Sequence, residues 1–238
     1  MPAATPFRTV WFDCDSTLSA VEGIDELALD AAAGVRDEVA ALTLAAMEGR
    51  VPLAEVYPRR LALLRPDRRA VEALGRRYVD RIVPHATLVV DALQSQGKRV
   101  GVVSGGLLPA VRHVAQALGI ADADVHGVDV RFAPDGAYLD FDRQSPLWRN
   151  GGKPAFLRAR PARERPLAFV GDGITDLEAA PAAELFVGFG GVAVRARVRA
   201  EAACFILDLR ELLPILLTAD ELQALARHPR LGRLLRTP

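Results

Sequence analysis

Three short polar segments interrupt apolar stretches of this 238-residue chain: residues 13–17 (DCDST), 104–106 (SGG) and 171–176 (GDGITD). A carboxylate at the end of a strand can attack phosphorus and form an acyl phosphate, and a second acid two residues on can reach the same reacting group to give or take a proton. Asp13 and Asp15 have that spacing, and Asp172 is followed by Asp176. Carboxylates crowded beside a phosphate need a hard cation, and Asp13 with Asp172 offers the oxygen ligands that suit Mg²⁺. Ser104 stands before two glycines and a helical stretch, where bare N–H groups and the helix dipole favour anions. Lys153 follows a glycine pair, again just before a helical stretch. Each segment alone also has a plainer reading. The acid pair could cap a helix, GDG could be a tight turn, SGG a flexible loop and Lys153 solvated surface.

The elements that must position these groups alternate. Residues 8–13 (RTVWFD), 98–103 (KRVGVV), 167–170, 185–188 and 204–207 read as short buried strands. Helices are expected over 87–96, 107–118 and near 175–180, with Gly97 and Gly119 as C-terminal stops. Residues 128–132 and 138–141 alternate around Pro134, Asp135 and Gly136, the pattern of a hairpin. Strands alternating with helices imply right-handed parallel crossovers and a three-layer α/β core, with ligands at the carboxyl ends of the strands. Between about residues 22 and 78 the strand pattern stops. Ala, Leu, Arg and Glu recur at helical spacing, punctuated by Gly34, residues 49–52 and residues 65–66, with Asp67 placed as an N-cap. This block reads as a helical insertion, and the Leu- and Arg-rich residues 209–238 as a helical extension.

Composition narrows the class. The chain is 50% hydrophobic and 25% charged, with 30 basic against 30 acidic residues. That is globular composition, without the basic excess expected of a protein living on nucleic acid or an anionic membrane. The longest uncharged run, residues 100–111, is too short to span a bilayer. Asp13 and Asp15 fall where an export signal needs its apolar core, so a cytoplasmic protein is expected. Two cysteines make neither a disulfide framework nor a zinc site. Cys14 reads as a small core filler, the four histidines show no metal spacing, and the arginines of residues 158–165 read as solvated.

Taken together and in order, DCDST, SGG, Lys153 and GDGITD resemble the four motifs of the haloacid dehalogenase superfamily. The stretches EGIDELA (22–28), RLALL (60–64) and FVGFGG (186–191) resemble its phosphoserine phosphatase branch, and the likeness runs from about residue 9 to 213. It implies a Rossmann-like three-layer core with a parallel sheet, residues 1–18 and 80–209, and a small helical cap, residues 19–79, inserted after the first strand. Residues 210–238 stand outside both. It also implies a Mg²⁺-dependent phosphomonoesterase acting on O-phospho-L-serine, the last step of serine biosynthesis.

By the same resemblance, Asp13 is the nucleophile and Asp15 the general acid, then base. Ser104, Gly105 and Lys153 bind phosphate. Asp13, Asp15 (through its carbonyl), Asp172 and Asp176 serve the metal. Glu22 and Arg60 read the ammonium and carboxylate of the substrate, beside Met47, Gly49 and Thr175. Val21 and Glu48 depart from the family pattern of a second acid and a second glycine. The implied partner is a small molecule, with neither nucleic acid nor membrane, and a monomer or homodimer. Two rivals remain open: the same chemistry on another small ester such as phosphoethanolamine, phosphocholine or a sugar phosphate, and a catalytically silent binding module. Intact motifs speak against the second.

Overall fold

The structure, a computed structural model, describes residues 6–47 and 50–235. Its centre is a six-stranded sheet in the order β3-β2-β1-β6-β7-β8, every neighbouring pair parallel. Strand β1 (Thr9–Phe12) is buried at all four positions, and β6 (Leu167–Gly171) at all five, as expected where helices cover both faces of a sheet. From β1 the chain winds outward through β2 (Arg99–Leu107) and β3 (Val125–Val128), then returns to β6 and winds the other way through β7 (Leu185–Phe189) and β8 (Cys204–Ile206). The order therefore reverses between β1 and β6. Their carboxyl ends lie side by side, Phe12 opposite Val170, with Asp13 N–H donating to the Val170 carbonyl at 2.9 Å. Such a switch point opens the crevice that α/β sheets use for ligands.

Between β1 and β2 lie α1 (Gly23–Ala28), α2 (Ala33–Met47), α3 (Leu53–Leu64) and α4 (Arg68–Asp80), followed by α5 (Ala86–Ser95). Asp67 caps α4 by accepting from Ala70 N–H at 2.7 Å. Val71, Leu74, Gly75 and Tyr78 form its buried face, and Gly75 carries no Cβ where one would meet the His113 ring on α6 (Leu108–Ala117) at 2.4 Å.

Four expectations need correction. Gly34 does not punctuate the insert but sits inside the first turn of α2. β2 does not stop at Val103; it runs through Ser104, Gly105 and Gly106 to Leu107, with its pairing to β3 shifting register along the way, and α6 begins only at Leu108. Ser104 therefore lies on a strand end and not on a helix N-terminus. Residues 125–128 form β3 at the edge of the main sheet, so the hairpin is the shorter pair β4 (Val130–Phe132) and β5 (Tyr138–Phe141). Arg160 and Arg165 are half-buried: Arg160 stacks on Phe156 at 4.2 Å, and Arg165 donates to the Leu157 and Ala182 carbonyls.

The residues after 209 form two short helices, Leu212–Leu216 and Ala219–Ala226. Leu212, Leu213, Leu216 and Leu225 join the main core, and Lys98 is buried against Glu221 at 2.5 Å. No helix of the described residues is long and apolar enough to cross a membrane.

Candidate active site

Beyond β1 the chain turns off the sheet with Ser16 in a left-handed conformation (φ 52°), an unusual conformation for a side-chain-bearing residue and one that clusters at functional loops. The turn leaves Asp13 buried at the sheet edge and Cys14 fully buried in the core. Asp15 lies on the wall of a cavity of about 130 Å³.

Three carboxylates from two strand ends meet at Asp13. Oxygens of Asp13, Asp172 and Asp176 all lie within 4.8 Å of one another. Lys153, on α7 (Gly152–Arg158), places Nζ 2.9 Å from Asp13 Oδ1 and 2.5 Å from Asp176 Oδ1. Burial pulls the Lys153 ammonium down, but Asp13 and Asp176 outweigh it and hold it charged. Gly171 is required here, since a Cβ would lie 2.4 Å from Asp176 Cγ. Burial, then the Asp13 charge, pushes Asp176 up to about 7; burial opposed by Arg195 leaves Asp172 at about 7.

The donor set fits a hard divalent cation. All three carboxylates are buried and repel one another, and the single Lys153 ammonium that reaches Asp13 and Asp176 does not balance three negative charges. Oxygen ligands of this kind suit Mg²⁺.

Beside this cluster, Ser104 is buried and its Oγ accepts from Gly106 N–H at 3.0 Å. That leaves its own hydrogen to donate. Gly105, Gly106, Gly151 and Gly152 line the same cavity, as does Thr175.

The opposite wall comes from the helical insert. Glu22 accepts from Ser16 Oγ at 2.7 Å, and burial with the nearby Asp15 pushes it up to about 7. Arg60 is buried, donates to Thr43 Oγ1 at 3.1 Å and leaves its Nε without a partner. Asp15 is clamped at both oxygens: Tyr78 Oη donates to Oδ1 at 2.5 Å and Gly23 N–H to Oδ2 at 2.8 Å. Burial and the Asp13 charge still push it up to about 7.

Asp13, Asp15, Glu22, Arg60, Ser104, Gly105, Lys153 and Thr175 thus share one cavity, with Asp172 and Asp176 behind Asp13. Met47 closes α2, and its side chain, like Gly49, lies outside the described residues. Sequence reasoning missed Tyr57, Arg149 and Asp25 on the cavity wall, Tyr78 behind Asp15, and Arg195, whose guanidinium joins Asp172 to Glu22. Tyr78 was legible only as one more apolar position of α4. Arg195 follows the FVGFGG stretch with no spacing signal at all.

Comparisons with known proteins identify the family. The family model described as haloacid dehalogenase-like hydrolase matches residues 10–181. Phosphoserine phosphatase of Bos taurus is 38% identical over 206 residues, 86% of this chain and 91% of that protein. The Homo sapiens phosphoserine phosphatase is 37% identical over the same shares. Among solved structures, a substrate-bound phosphoserine phosphatase superposes with a TM-score of 0.73 at 27% identity, covering 90% of this chain and 100% of the other. A phosphoserine phosphohydrolase-like protein from Francisella tularensis shares the fold, with a TM-score of 0.76 at 20% identity over 88% of this chain and 100% of that one. With a parallel sheet that reverses at Asp13, four motif segments gathered at its carboxyl edge and relatives matched along most of their length, the chain belongs to the haloacid dehalogenase-like hydrolases, on the branch that holds the phosphoserine phosphatases.

Proposed function

We propose that the protein hydrolyses O-phospho-L-serine to L-serine and phosphate, the last step of serine biosynthesis. The observation that carries this reading is the placement of Glu22 and Arg60 on the wall of a cavity whose floor is Asp13. A phosphate ester that also bears an ammonium and a carboxylate needs one anion and one cation away from the reacting end. Arg60, with an unpartnered buried Nε, suits a carboxylate. The names carried by the bovine and human relatives support the same substrate.

In this reading a carboxylate oxygen of Asp13 attacks phosphorus as the bond from phosphorus to the serine oxygen breaks. Asp15 gives that oxygen its proton. It then takes a proton from water as the water attacks the phosphorus of the aspartyl phosphate, which returns Asp13 and releases phosphate. Lys153 holds Asp13 in place and offsets phosphate charge. Ser104 Oγ–H and Gly105 N–H bind phosphate oxygens, and Thr175 flanks them. Asp13, Asp172 and the Asp15 carbonyl would hold Mg²⁺, with Asp176 keeping Lys153 and the Gly173 N–H in register. When bound, the cation supplies neutralisation of the phosphate and of the charge that develops during transfer. Residues 19–79 act as the cap over the sheet edge.

The test is phosphate release from phosphoserine, phosphoethanolamine, phosphocholine and a sugar phosphate, each with Mg²⁺ and with chelator. Phosphoserine is expected to lead in kcat/KM, with activity lost in chelator. A preference for phosphoethanolamine would overturn the substrate, and full activity after chelation would overturn the metal.

A further inference from the structure

The two groups that clamp Asp15 both come from the cap. Gly23 opens α1, and Tyr78 lies near the end of α4, fully buried. Each supplies one donor to a different oxygen of the carboxyl, at 2.8 Å and 2.5 Å. Each oxygen keeps a second lone pair, so a proton can still be carried on the face that lines the cavity. The fit is tight: a Cβ on Gly23 would sit 2.1 Å from the Tyr78 hydroxyl. The segment bearing Tyr78 is also tied to the turn that bears Asp15, since Ser19 Oγ donates to the Tyr78 carbonyl at 2.9 Å and Ala20 N–H to the Arg81 carbonyl at 2.8 Å.

We propose that Tyr78 is a positioning residue for the proton transfer performed by Asp15, so that the cap aims the acid as well as reading the substrate. This rests on the phosphatase reading above. A carboxyl at the tip of a strand turn has free rotation about its last bond. Two fixed donors remove that rotation and point one oxygen at the leaving group, and general acid catalysis depends on such geometry. Tyr78 is absent from the cavity lining and reaches the site through its hydrogen bond to Asp15, so its effect must pass through Asp15.

The leaving group provides the readout. Serine departs as a poor alkoxide that needs its proton during bond breaking; p-nitrophenolate does not. The measure is kcat/KM, which reports transfer to Asp13, for phosphoserine and p-nitrophenyl phosphate with the Mg²⁺-loaded enzyme. Tyr78→Phe is expected to lower it about ten- to a hundredfold for phosphoserine, the scale of a hydrogen bond to a charged group. The change for p-nitrophenyl phosphate should stay within about threefold, and the KM for phosphoserine should hold. Gly23→Ala, which forces the hydroxyl aside, should reproduce the effect in wild type and add little in the Tyr78→Phe background. Equal losses on both substrates, or no loss on phosphoserine, overturn the proposal. If wild type prefers another alkyl phosphate, that ester takes the place of phosphoserine and the comparison stands, so a wrong substrate and a wrong role for Tyr78 give different results. A wild type inactive on every phosphomonoester overturns both.

Discussion

Glu22 and Arg195 are bridged across the boundary between helical insert and sheet: a terminal guanidinium nitrogen of Arg195 lies 2.9 Å from Glu22 Oε1. The Nε of the same group lies 2.7 Å from Asp172 Oδ2. One cation therefore serves two carboxylates that the family resemblance assigns to different tasks, the substrate ammonium and the metal. Arg195 and those two ligands compete for the same negative charge.

Removing Arg195 should therefore expose a dependence on the cation. Asp172 is almost fully buried, and Arg195 is the strongest influence holding its carboxyl down against burial. Arg195→Gln is expected to lower the stability of metal-free protein by about 1–2 kcal/mol, less than a fully buried pair would lose. For a chain of this size that is a fall in Tm on the order of 2–8 °C. Saturating Mg²⁺ should raise the Tm of the variant more than that of wild type, because the ion supplies the missing charge. Equal Mg²⁺ shifts in thermal denaturation would show that the two do not share Asp172.

In the proposed reading Asp13 forms a covalent intermediate. Asp13→Asn should reduce turnover by at least ~10³-fold, since a lost nucleophile removes several kcal/mol of barrier lowering. Wild type quenched during turnover should carry phosphate on Asp13, located by peptide mass spectrometry. A label on any other residue would exclude the mechanism.

Charge matching on the cavity wall is expected to separate the substrates. Arg60→Lys should lower kcat/KM for phosphoserine about ten- to a hundredfold, because an ammonium cannot reproduce the two-pronged grip of a guanidinium on a carboxylate. It should leave phosphoethanolamine, which lacks the carboxylate, nearly unchanged. Glu22→Gln should weaken both, and neither change should affect an aryl phosphate. Uniform losses across the three substrates would mean that these residues support the fold and not selection.

His126 gives stability a pH dependence of its own. Its ring packs against Phe156 at 4.6 Å and Trp11 at 5.6 Å, its Nε2 is buried without a partner, and burial, then Arg160, holds its pKa below the usual histidine value. The unfolded chain takes up this proton near about pH 6.5 while the folded protein resists it. The contribution of His126 is thus fully present above that pH and declines as pH falls through the folded-state value. His126→Phe keeps the ring contacts and removes the titration. The difference in Tm between wild type and variant should shift against wild type from pH 7.5 to 5.5. A pH-independent difference would refute the assignment.

Much of the site is legible along the chain because the signals are local. Alternating apolar runs and glycine stops mark the strands and helices, and in a parallel sheet their carboxyl ends converge, so Asp13, Ser104, Asp172 and Asp176 could be placed together from their order, whereas Lys153 joined them only through the family resemblance. The limits of the elements were less legible. β2 runs on to Leu107, which pairs with Val128 of β3 beyond a register shift that takes in Ser104, Gly105 and Gly106, although these small residues read as a loop. The leucines after residue 209 show no partner in the sequence, yet Leu212, Leu213 and Leu216 are core residues. Tertiary structure alone decided which cations and donors reach the acids. Arg195 meets Glu22 across 173 positions of chain, and Tyr78 meets Asp15 across 63. Neither pairing has a spacing that could announce it. Each follows from the way helices pack over the sheet edge, and a carboxylate buried there takes its partner from whatever donor that packing brings within about 3 Å.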